Sequence, residues 1–200
     1  MLIKHAVVAL TALLLAQFAV AQTAPPSRIR GEIASNDGKT LMMHRPSGEM
    51  VEIALAPETP VSGVKKLALS DIKNGSFVGI ATHPSTDGKL VAIEVLVFPE
   101  AARGSNEGHY GWDLVQGGMM TNANVDTVVE GQKGRDLTLS YKGGTKQISV
   151  PENVPIVTFQ PATASDLTVG KKAFVVAGKE GEKYKALRII VEKDGVAPPM

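Results

Sequence analysis

The chain has 200 residues, no cysteine, and 21 basic against 20 acidic side chains. The absence of cysteine excludes disulfides, thiolate metal sites, thiol nucleophiles and a lipoprotein anchor, so stability has to come from burial. A net charge near zero argues against nucleic-acid binding, which concentrates positive charge to displace counterions from phosphates.

Residues 1–21 read as a cleavable export signal. Lys4 is its sole charge, 6–15 are apolar, and Ala19-Val20-Ala21 fits a small-residue cleavage site. The apolar run falls well short of the ~20 residues a membrane-spanning helix needs; an uncleaved anchor is the alternative. The expectation is therefore a periplasmic or secreted protein with no membrane span after cleavage. Cleavage removes one basic residue and leaves 20 charges of each sign. The eight aromatic residues that remain are too sparse for the stacking platforms of single-strand binders.

Beyond the signal, short apolar stretches alternate with turn signals. Strands are expected at 28–34, 39–45, 49–55, 76–82 and 89–98, with Asn36-Asp37-Gly38, Pro46-Ser47-Gly48 and Thr86-Asp87-Gly88 as tight turns between them. A second set follows at 124–130, 135–141, 146–150, 173–177 and 184–192. The two sets are copies at a spacing of 94 to 96 residues. Pro57-Glu58 recurs as Pro151-Glu152, Ser70-Asp71-Ile72 as Ser165-Asp166-Leu167, Gly75 as Gly170, and Ala92 as Ala186. In each copy a longer connection, 56–74 or 151–169, separates strands three and four. Its Ser-Asp pair can cap one helical turn, and the glycine then releases the chain into the next strand.

Three strands, a connection with a helical turn, and two more strands is the order of a five-stranded Greek-key barrel of the OB type. The fold class expected is all-β: two tandem five-stranded OB-like barrels with short helical turns. The expected division is a signal peptide at 1–21, a first barrel at 28–99, a Gly-rich linker at 100–120 and a second barrel at 121–195.

Arg30-Gly31-Glu32-Ile33, the strand at 38–43, Pro57-Glu58-Thr59, Ser70-Asp71-Ile72 with Gly75, and Asp87-Gly88-Lys89-Leu90 leading to Ala92 make the chain resemble a family of exported bacterial OB-like domains of unknown function. The second copy keeps Pro151-Glu152, Ser165-Asp166-Leu167, Gly170 and Ala186 but lacks the opening glycine. These are turn and strand signatures without chemistry. The resemblance implies a fold and assigns no catalytic or ligand residue.

The segment without a counterpart in the other copy, 100–120, is where function is expected. It holds the only tryptophan, Trp112, beside Tyr110, with Glu107, His109 and Asp113 near and five glycines in its span. One reading is a flexible linker whose aromatics plug a groove between barrels. The other is a binding loop carried by a rigid scaffold, with His109, Tyr110, Trp112 and Asp113 contacting a periplasmic protein or small ligand.

A metal-handling function is the competing class, because thioether and imidazole ligands suit copper, and imidazole suits zinc. Its candidates are Met42 and His44, which alternation places on one strand face, and His109 with Met119 and Met120. Methionine on a strand is more often core filler, and no cofactor is required by any motif. Ser105, His109 and Asp113 are the right types for a nucleophile, base and orienter. Gly104, Gly108 and Gly111 oppose the helix that would align them, so the chain is read as a non-catalytic binding or assembly module.

Overall fold

The computed structural model describes residues 25–131 and 134–199. Residues 1–21, expected to be an export signal, lie outside the described residues, as do 132–133 between two of the expected strands.

The described residues are all-β, with thirteen strands in one sheet. In order they are β1 (Ser27–Asn36), β2 (Thr40–His44), β3 (Met50–Ala54), β4 (Val61–Lys66), β5 (Phe77–Pro84), β6 (Leu90–Val97) and β7 (Gly108–Gly111). Then come β8 (Met119–Gly131), β9 (Gly134–Tyr141), β10 (Gly144–Pro151), β11 (Ile156–Pro161), β12 (Lys172–Glu180) and β13 (Lys183–Val191). Single 3₁₀ turns occupy Leu69–Asp71, Glu100–Ala102 and Ala164–Asp166. Alternation sets the inward faces: on β3, Val51 and Ile53 are buried while Met50, Glu52 and Ala54 are exposed.

The repeated residues make the same local structures. The Asp71 carboxylate accepts the Ala68 N–H at 2.8 Å, and that of Asp166 accepts the Thr163 N–H at 2.9 Å. Each carboxylate thereby satisfies a donor that the 3₁₀ turn leaves free. Gly75 and Gly170 follow at φ of 81° and 86°, a left-handed conformation that costs glycine little. Bulges recur too, between Ile33 and Ser35 in β1 and between Val125 and Thr127 in β8.

Strand pairing departs from two tandem barrels each built from one copy. β1, β2 and β3 pair in antiparallel order, but β1 next pairs with β12, and β3 pairs in parallel with β13. Likewise β8, β9 and β10 pair in order, β8 then takes β5, and β10 pairs in parallel with β6. Each end of the sheet thus combines three strands of one copy with two of the other. The reason lies in the connections expected to be mostly loop. Each contains a strand, β4 or β11, and these pair antiparallel with Val64 opposite Phe159. β4 runs beside β13 and β11 beside β6, so each carries its chain across to the opposite end before the next hairpin begins.

The exchange continues into the core. Ile72, just after the first 3₁₀ turn, is buried with Val125, Leu137 and Ile148, whereas Leu167 is buried with Ile29, Ile33 and Ile53. The glycine N–H groups cross as well, from Gly75 to the Val125 carbonyl at 2.7 Å and from Gly170 to the Ile33 carbonyl at 2.9 Å. A third cluster, Val64, Leu96, Val157, Phe174 and Ile190, fills the seam between the two ends.

Candidate functional site

The insertion is ordered rather than loose. Its 3₁₀ turn is tied down by Arg103, which reaches Glu100 Oε1 at 2.6 Å, Asn124 Oδ1 at 2.7 Å and the Gly75 carbonyl at 2.9 Å. β7 then adds to the sheet beside β8, with Tyr110 opposite Met120. The chain returns through a turn closed by the Trp112 N–H on the Gly118 carbonyl at 2.9 Å. Gly118 is required there, since a Cβ would stand 2.8 Å from the Trp112 carbonyl oxygen.

Because β7 is extended, adjacent residues point oppositely. Tyr110 and Trp112 share the face that roofs a cavity of about 420 Å³ over the seam, within the size range of small-molecule sites. His109 faces the other way, its Nδ1 2.8 Å from Thr121 Oγ1 and its ring stacked on Tyr141 with centroids 6.3 Å apart. Burial, aided by the charge of Lys146, lowers its pKa.

Trp112 is tilted against Phe174 at 6.3 Å and edge-on to Tyr110 at 6.4 Å. Arg28 lies over its ring at 4.0 Å and Arg30 at 5.5 Å, a cation–π arrangement that anchors the roof to β1. Asp113 completes the anchor, its Oδ1 3.0 Å from Arg30 and 3.7 Å from Arg28. Partial burial raises the Asp113 pKa, but the Arg30 hydrogen bond and the two guanidinium charges outweigh it and hold the carboxyl low.

The floor carries polar groups too. Asn122 Nδ2 donates to the Tyr110 hydroxyl at 3.2 Å and to the Ser105 carbonyl at 3.0 Å. Burial raises the Tyr110 pKa against the opposing charges of Arg28 and Arg188. Glu94, on the cavity wall, is 2% exposed, and its Oε2 has no hydrogen-bond partner. Burial pushes its pKa up to about 7, with the charge of Arg30 only partly opposing. Trp112 Nε1 is also buried without a partner.

Tyr110 and Trp112 therefore line the cavity, Asp113 braces its rim and His109 lies outside it. Ser105, His109 and Asp113 are engaged with three different sets of neighbours and form no triad. Of the metal candidates, Met120 is 5% exposed on the cavity wall and Met119 is half-buried on β8, while Met42 is half-buried and His44 exposed on β2, at the other end of the sheet. Among the described residues, no three His, Asp or Glu side chains come together as a metal site.

Glu94, Arg28, Arg188 and Phe174 were not singled out from the sequence. For Glu94 a signal exists: it is the one charge in the otherwise apolar strand Leu90–Val97, and a carboxylate inside such a run has to be paired or functional. Compared with protein families, with curated proteins and with solved structures, the chain finds no match.

Proposed function

We propose that this is an exported, non-catalytic binding protein whose ligand seat is the cavity roofed by Tyr110 and Trp112. The observation that carries the reading is Glu94. A carboxyl group 2% exposed with an unpartnered oxygen costs folding free energy, of order 1–3 kcal/mol for an unmet buried polar group. Such a cost inside an aromatic-walled cavity is repaid when a ligand supplies the missing partner. The near-zero net charge supports a small ligand over a nucleic acid.

The pairing order supports a finer reading of the scaffold. In each end, strands one, two and three continue into strand five in parallel and strand four closes onto strand one, the connectivity of an OB-like ring with strands four and five exchanged between copies. Such a scaffold positions a site at the seam, where both copies contribute walls.

Trp112 provides the test, because it is the only tryptophan. Fragments that bind should change its fluorescence and raise Tm, and Trp112→Ala should weaken them at least tenfold while costing about 1–2 kcal/mol of stability, short of a fully buried aromatic. Loss of most of the stability, with no fragment bound by the parent protein, would instead make Trp112 a plug and reject the binding reading.

A further inference from the structure

The charges around the cavity are unequally satisfied. Arg28 and Arg30 share Asp113, and Glu107 accepts the Lys142 N–H through Oε1 at 2.8 Å. Two charged residues on the walls are left over. Glu94, buried on β6, and Arg188, on the exposed side of β13 at the cavity mouth, make no ion pair among the described residues, with each other or with anything else. They occupy equivalent places in the two copies, two residues beyond Ala92 and Ala186, so they approach the same cavity from opposite ends of the sheet.

A purely cationic ligand would satisfy Glu94 but meet the like charge of Arg188 at the mouth; a purely anionic one would pair with Arg188 but leave the buried Glu94 carboxyl without a partner or keep it protonated. Deepening the binding reading above, on which this inference rests, we propose that the cavity takes an amphoteric small molecule. Its ammonium group sits at Glu94, its carboxylate at Arg188, and its apolar body lies against Phe98, Phe159 and Phe174. The aromatic walls suit both requirements, since ring faces attract cations and exclude water that would weaken the charge contacts. The raised pKa of Glu94 then has a consequence. An ammonium group favours the ionised carboxylate, so its binding expels a proton below about pH 7. The other charged or titratable groups lining this space are Arg28 from β1, Arg188 from β13, and Glu107 and Tyr110 from the insertion, while Arg30 on β1 acts on Glu94 through its charge; among the described residues no histidine lines it.

The experiment is calorimetric titration of the processed protein with four probes of one shape: L-phenylalanine, phenethylamine, 3-phenylpropionate and the neutral 3-phenylpropan-1-ol. L-phenylalanine is expected to bind at least tenfold more tightly than the other three. Phenethylamine affinity should rise between pH 6 and 8, and that of 3-phenylpropionate should not. Glu94→Gln should remove the advantage of the amine, and Arg188→Gln that of the carboxylate, each with native circular dichroism. Equal affinity for all four, or unchanged preferences in both variants, overturns the amphoteric ligand while leaving a binding cavity in place. No binding by any probe, with Trp112 fluorescence unmoved, overturns both readings.

Discussion

The two ends of the sheet share a backbone plan and differ in what they present to the seam. Four residues beyond the equivalent glycines stand Gly79 on β5 and Phe174 on β12. Opposite them in the ladders stand Asn122 and Arg30. Where one end places a phenyl ring beside a guanidinium, 5.0 Å from ring centroid to Cζ, the other has no side chain at all, and Phe98 and Asn122 occupy the space. A Cβ on Gly79 would come within 2.7 Å of Asn122 Oδ1 and 3.0 Å of Phe98. Further along, Glu94 answers Arg188. The two ends thus share turns, caps and bulges while their seam-facing side chains diverge, and a scaffold of two like ends acquires a chemically one-sided cavity.

Removing the bulkier member of the first pair should show this difference most strongly. Phe174 is 1% exposed, so Phe174→Ala is expected to cost about 3–5 kcal/mol through lost burial and a new void. Gly79→Ala fails for the opposite reason, overpacking, at about 1–3 kcal/mol. Urea denaturation of both variants checks the contrast; if Phe174→Ala is the milder of the two, the seam is not the core described.

The charged pair comes next. The Glu94 carboxyl titrates at about 7 when folded, against 4.5 as the ordinary value. Below pH 4.5 both states hold the proton and nothing is lost. Between 4.5 and 7 the unfolded chain releases it first, so stability falls as pH rises, by about 3 kcal/mol in all above pH 7. Glu94→Gln, which carries no charge, should be more stable than the parent at pH 8 and indistinguishable near pH 4. Thermal unfolding across that range measures it, and a parent curve no steeper than the variant's would contradict the buried, unpaired carboxyl.

The smallest effect tests the shared plan. Asp71→Ala and Asp166→Ala each lose a cap worth about 1 kcal/mol. Asp166 should cost slightly more, because it also holds Lys193 Nζ at 3.1 Å. Equal melting shifts would show that this added, part-buried ion pair contributes nothing measurable.

Most strands were legible because alternation and turn chemistry are local. The expected run at 39–45 became β2, with Met42 and His44 turned outward and Leu41 and Met43 buried. β4 and β11 lie inside the expected connections, where Gly63 interrupts the first, Pro155 immediately precedes the second, and neither is long enough to show a period. Tyr110 and Trp112, both within the segment 100–120, line the cavity. Glu94 is the one charge of β6 and Arg188 one of three in β13, and only their convergence on one cavity gives the two a joint meaning.

What the sequence alone determined is the all-β class, the turns and the capped 3₁₀ turns, all of which depend on residues near one another in the chain. Which hairpin joins which three strands was decided by tertiary structure. Two strand sets of similar pattern offer two nearly equivalent pairings, β5 with β1 or with β8, and local pattern does not distinguish them. The antiparallel meeting of β4 and β11 does, by carrying each chain across the seam. That crossing brings Glu94 of one copy and Arg188 of the other to a single cavity.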